Sequence, residues 1–129
     1  MQSLKSGQKL YASVEEMQQL HEIRWIDVKY LKKAVDILCR CQQTLMYTDV
    51  FAYYLKRNNQ SVIFKFNQQY LERETKLLSE YLKRAISQKD LLIDETQIQD
   101  SARFCDRLRI TLVNHVYEGY EKDWWLFSE

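Results

Sequence analysis

The residues best equipped for chemistry in this chain are three cysteines, Cys39, Cys41 and Cys105, and two histidines, His21 and His115. A structural zinc site needs about four Cys or His ligands in closely spaced pairs. Cys39 and Cys41 fall on one helical stretch, where ~100° per residue sets their side chains ~200° apart round the axis, a poor grip on one ion. Packing of free thiols is the better reading, and neither a metal nor another cofactor is expected on this chain. A Cys-His nucleophile would need Cys105 and His115 to meet. A helix joining them holds them ~15 Å apart at ~1.5 Å per residue, beyond hydrogen-bond reach. His21 could meet a cysteine only through tertiary folding, so each histidine reads as a helix-end or surface side chain.

The carboxylate pairs Glu15-Glu16, Glu72-Glu74 and Asp94-Glu95 lie among lysines and arginines on what read as solvated helix faces. Acid-base work would need one of each pair buried with a shifted pKa, and no apolar cradle is visible for it. Phosphate-binding loops and nucleophile elbows need glycines, and this chain has only Gly7 and Gly119. No catalytic residue is therefore expected, and the chain by itself is not read as an enzyme. The basic clusters Lys32-Lys33, Lys56-Arg57 and Arg103 with Arg107 and Arg109 are broken up by acids such as Asp36, Glu74 and Asp106. One continuous positive face is thus not expected, and nucleic acid is not an expected partner.

The elements that position these residues read as helix almost throughout, because proline is absent and glycine occurs twice. Leu31, Leu38, Leu45 and Ala52 repeat every seventh position from Trp25 to Leu55, with Ala34, Cys41 and Thr48 on the same stripe. Lys56-Arg57-Asn58-Asn59 then supplies positive charge and turn residues for a reversal, after which Ser61 can start the next helix. Its stripe runs through Phe64, Leu71, Leu78 and Leu82, flanked by Tyr70, Leu77 and Tyr81, and Ser87-Gln88-Lys89-Asp90 marks its break. Ile98, Ala102, Cys105, Leu108, Leu112 and Val116 define a further helix, whose end His115 and Gly119 mark. A less regular helix fits Ser3–Ile23, where Gly7 weakens the first turns.

The spacing predicts one all-α domain over 1–129, with helices at 3–22, 25–56, 61–86 and 94–117. The architecture is an up-and-down bundle of three long antiparallel helices, an N-terminal helix and an aromatic C-terminal tail. Hydrophobic residues at 46% and a net charge of +1 suit such a globular core. No stretch reaches the ~20 apolar residues of a membrane span, and Met1–Lys5 lacks a signal-peptide core, so no membrane partner is expected. The expected location is cytoplasmic, with the nucleus as a second compartment. Five aromatics crowd the tail, Tyr117, Tyr120, Trp124, Trp125 and Phe127. Trp124, Trp125 and Phe127 must lie against the bundle or against a partner.

The runs Tyr30–Cys41, Thr44–Thr48, Val50–Ser61 and His115–Trp124 resemble the Ariadne domain of Ariadne-type RING-in-between-RING (RBR) ubiquitin ligases, and the resemblance spans nearly the whole chain. It implies a regulatory, protein-interaction domain that follows zinc-binding RING and in-between-RING modules. Zinc is then expected only in those modules, which this chain does not contain, and the full-length proteins would be ubiquitin transferases. In that family the domain folds back on the catalytic module and autoinhibits it, until a partner such as a neddylated cullin-RING complex releases it.

The resemblance places Ser6 and Gly7 where relatives carry a Phe-Glu pair facing the catalytic module, and Lys76 where they carry an acid. The segment between Val14 and Trp25 is about one helical turn shorter, and Asp49 replaces an aromatic in an apolar stretch. These departures keep an alternative open, a stand-alone helical adaptor or diverged partial paralogue without ligase activity. The candidate interaction residues are Ser6, Gly7, Lys76, Trp124, Trp125 and Phe127.

Overall fold

The computed structural model describes residues 7–15, 25–88 and 95–128, side chains of 25–28 and 88 excepted. They form an all-α bundle: α1 (7–15), α2 (Trp25–Tyr53), α3 (Asn59–Gln88) and α4 (Glu95–Glu121). The three long helices all contact one another, so the core is shared three ways. Leu31 and Leu38 from α2, Phe64, Leu71, Leu78 and Leu82 from α3, and Ile98, Cys105 and Leu112 from α4 are among its fully buried members. From α1, Leu10 and Val14 join the same cluster, and a Lys32–Glu15 ion pair at 2.7 Å ties that helix to α2.

Helix ends depart from the sequence expectation in ways the local hydrogen bonds explain. Of the stretch 3–22 expected for the first helix, 3–6 and 16–22 lie outside the described residues, as does most of the shortened Val14–Trp25 segment. α2 stops at Tyr53 because Tyr54 and Leu55 turn tightly, their N–H groups donating to the carbonyls of Phe51 at 3.3 Å and Ala52 at 3.2 Å. Leu55 then pairs with Phe127 in an isolated antiparallel bridge. Ser61 does not start α3. Asn58 caps it, its Oδ1 accepting from the Ser61 N–H at 2.8 Å while its own N–H donates to Ser61 Oγ at 2.9 Å.

The largest correction concerns Gly119, which is an interior residue of α4 rather than its stop. No glycine has positive φ, and the left-handed residue is Asp123, at φ 56°. There the Trp124 N–H reaches back to the Gly119 carbonyl at 2.9 Å, the six-residue wrap that closes a Schellman-type end, with Asp in place of the usual Gly. Gly119 is required for a different reason: a Cβ there would overlap the Trp125 indole. The tail folds back along α4, and Trp125 Nε1 donates to the Val116 carbonyl at 2.9 Å.

Two effects of opposite sign compete at this position. Alanine is favoured over glycine inside a helix by ~1 kcal/mol, while overpacking a buried ring costs ~1–3 kcal/mol. Since the ring is held by a hydrogen bond and 7% exposed, the overlap should win. Gly119→Ala is expected to lower stability by about 2 kcal/mol in urea unfolding. The same change in a Trp125→Ala background should be neutral or stabilising; equal losses in both backgrounds would contradict the packing argument.

Candidate functional site

The thiols are built for packing. Burial pushes the Cys41 thiol up to about 12, and the neighbouring Cys105 adds to the shift. Cys105 is likewise pushed up to about 12, by burial first and then by Glu74. Cys41 Sγ points at the Cys105 carbonyl, 3.7 Å away. Such groups stay protonated near neutrality and are poor nucleophiles. Cys39 lies on another side of α2, under Gly7, and its pKa is also raised, by burial and then Asp36. Among the described residues no group of three or more His, Cys, Asp or Glu could hold a metal ion.

What the fold does assemble is an aromatic cluster at the end of the bundle where the tail returns. Phe51 of α2 is its hub, with ring centroids 5.3 Å from Phe64, 5.4 Å from Trp125, 5.8 Å from Phe127 and 6.1 Å from Tyr120. His115 lies 5.0 Å from Trp125 and 5.7 Å from Trp124, both edge-on. Trp124, Trp125 and Phe127 are thus brought together, in graded exposure: Trp125 is buried, Trp124 half-buried and Phe127 41% exposed. Two backbone hydrogen bonds hold the strand-like tail, from the Lys56 N–H to the Leu126 carbonyl and from the Ser128 N–H to the Tyr54 carbonyl, each 2.7 Å.

Asn58 connects this cluster to the start of α3. While its Oδ1 caps the helix, its Nδ2 donates to the Trp124 carbonyl at 2.9 Å. His115 makes a second link, Nε2 to Gln60 Oε1 at 2.9 Å. With Nε2–H donating, Nδ1 is a bare, buried acceptor without a partner among the described residues. Burial lowers the His115 pKa below its usual 6.5, against the opposing pull of Glu118.

The other candidate residues sit elsewhere. Ser6 lies outside the described residues. Gly7 is buried, and a Cβ on it would come within 2.7 Å of Cys39 Sγ and 2.8 Å of Gln42 Oε1. Lys76 is exposed on α3 and pairs with Glu72 one turn earlier, at 3.5 Å. Asp49 is not buried in an apolar setting: it is exposed, and its Oδ1 accepts from Gln68 Nε2 at 2.9 Å. Partial desolvation and then Glu72 raise its pKa. The sequence reading missed Phe51, Asn58 and Gln60 as organisers of the tail. Asn58 and Ser61 do carry the three-residue spacing of a capping box, with Ser in the place of Glu.

No known family profile matches the chain. It is 56% identical over 133 residues to the E3 ubiquitin-protein ligase ariadne-1 of Drosophila melanogaster, covering 100% of this chain and 26% of that protein. Against the E3 ubiquitin-protein ligase ARIH1 of Homo sapiens it is also 56% identical, covering 100% of this chain and 24% of the relative. The E3 ubiquitin-protein ligase ari-1.1 of Caenorhabditis elegans is 43% identical, over 99% of this chain and 26% of its own length. The chain spans about a quarter of the length of these relatives. Over its whole length it is homologous to the Ariadne domain of the ariadne-type RBR ubiquitin ligases.

Two outcomes follow from the tail geometry. Asn58→Ala removes a helix cap and the Trp124 bond together, and should cost about 2 kcal/mol in urea unfolding. Asn58→Asp keeps the cap and loses only the donor, so a cost equal to that of alanine would contradict the shared role. For His115, the lowered folded-state pKa means the unfolded chain binds the proton more readily. Its stabilisation is complete above the usual 6.5 and is lost as pH falls below that value. Wild type should therefore lose more stability than His115→Gln between about pH 7 and about pH 5, and parallel pH profiles would refute the assignment.

Proposed function

We propose that this chain is a regulatory, protein-interaction domain of a ubiquitin ligase, one that docks on an RBR catalytic module and restrains ubiquitin transfer. The observation that carries the reading is the full-length match at 56% identity to E3 ubiquitin-protein ligases of the ariadne type. Local chemistry supports it. The Cys41 and Cys105 thiols are buried and held protonated, which suits a packed helical core whose outer faces meet a partner. On this reading the zinc and the ubiquitin-accepting cysteine belong to the ligase's RING and in-between-RING modules. A neddylated cullin-RING complex is the releasing partner, and the work is done in the cytoplasm and nucleus.

A specific pair of observations favours a second reading. Gly7 faces inward with no room for a side chain, and Lys76 is engaged with Glu72, at two positions the family resemblance places at the inhibitory contact. A domain altered there would keep its bundle and serve as a stand-alone adaptor or a diverged paralogue.

The two readings separate in one assay. Titrating this chain into an Ariadne-type ligase body lacking its own C-terminal domain, with ubiquitin loaded on a conjugating enzyme, should slow transfer in a dose-dependent way. Absence of both binding and inhibition, from a sample shown to be helical, would exclude the restraining role and leave the adaptor.

A further inference from the structure

The turn before α3 and the helix's first three turns carry a groove of about 350 Å³ lined by Arg57, Ser61, Val62, Lys65, Phe66 and Gln69. Its apolar members are one helical turn apart and unusually open: Val62 is 47% exposed and Phe66 66% exposed. Bulky apolar side chains set in a groove at that exposure are a feature of binding surfaces.

The charge around the groove is one-sided. From Val50 to Leu71 the sequence contains no Asp or Glu, while Lys56, Arg57 and Lys65 are all basic. α3 has no acid in its first turn to offset the positive end of its dipole. Neither Arg57 nor Lys65 forms an ion pair with a described residue. Several cations elsewhere are paired with acids: Arg40 with Asp36, Arg103 with Asp100 and Arg109 with Asp106. A chain of net charge +1 has thus collected uncompensated cations beside its exposed Val62 and Phe66.

We propose that this groove is a docking site for an acidic linear peptide carrying an aliphatic or aromatic anchor. The anchor would lie between Val62 and Phe66, and flanking carboxylates would meet Arg57 and Lys65. Nucleic acid fits less well. Two cations at a groove with an apolar floor offer few phosphate contacts, and the whole chain is close to neutral. The inference goes beyond the ligase reading and does not depend on it.

The test is selection of a random phage-displayed peptide library on the immobilised, full chain, followed by anisotropy titration of a labelled consensus peptide. Enriched sequences should combine at least two acids with a Leu, Ile, Phe or Trp, and binding should weaken as salt rises. Phe66→Ser and Lys65→Glu should each reduce affinity by about tenfold or more. Both positions are exposed, so the fold should survive, which circular dichroism would check. Tyr117→Ser, an exposed aromatic on α4, should leave affinity unchanged. The proposal is overturned if no peptide is enriched, if enriched peptides lack acids, or if Phe66→Ser binds like wild type. It is equally overturned if a single-stranded oligonucleotide binds this groove more tightly than the peptide, with loss in Lys65→Glu.

Discussion

The contact of the Trp125 indole with the Cβ-less face of Gly119 is the constraint on which this end of the molecule depends. Without a side chain at 119 the ring reaches the α4 backbone and donates to the Val116 carbonyl. A ring of that size hides ~150–250 Å² from water, which at ~25 cal/mol per Å² is ~4–6 kcal/mol as an upper estimate. That is comparable with the whole net stability of a small domain, ~5–15 kcal/mol. The ring also serves as a wall: Phe51, Phe64 and His115 all pack their rings against it, so residues of α2, α3 and α4 meet on one tail side chain.

The polar contacts make this packing cooperative with the helix start nearby. Asn58 divides its amide, with the oxygen satisfying an α3 N–H and the nitrogen satisfying the Trp124 carbonyl. Neither half can be released without disturbing the other, because the amide has one orientation. The Leu55–Phe127 bridge and its two backbone hydrogen bonds add a third attachment on the opposite side of the same turn. Opening of the tail and fraying of α3 therefore belong to one event, and the α2–α3 turn should be better protected from exchange than its exposed position suggests.

How far the sequence disclosed all this depended on the range of the interaction. The period of the core stripes is a local property, and Leu31, Leu38, Leu71, Leu78, Ile98 and Leu112 lie in the core where their spacing puts them. Gly119 misled because glycine near a helix end usually signals a left-handed stop, whereas here its value is steric and set by a residue six positions later in the tail. Asp123 could take the left-handed role because its short polar side chain tolerates positive φ. Ser61 suggests a helix start by its residue type alone, whereas the cap is Asn58. Only the tertiary bond to Trp124 distinguishes the dual duty of Asn58 from an ordinary turn residue. For the candidate site, the crowding of tail aromatics was visible, but which of them would turn inward was not. That choice rests on Phe51 and Phe64, from helices far away in sequence.

The same closure decides what remains for partners. Once Trp125 is inside, its indole N–H and most of its area are used up, while Phe127, stacked on Tyr120 at 6.3 Å, and Leu126 stay exposed. Further exposed apolar side chains stand at the α2–α3 corner: Tyr53 at the end of α2, Tyr54 in the turn after it, and Val62, Ile63 and Phe66 at the start of α3. These residues lie within the acid-free stretch from Val50 to Leu71. Fixing the tail thus also fixes the α2–α3 corner from which this apolar, basic surface projects, since Asn58 and Leu55 anchor that corner directly. A surface with a pre-set shape loses less conformational entropy on binding, so the lock on the tail and the recognition surface beside it are two consequences of one packing arrangement.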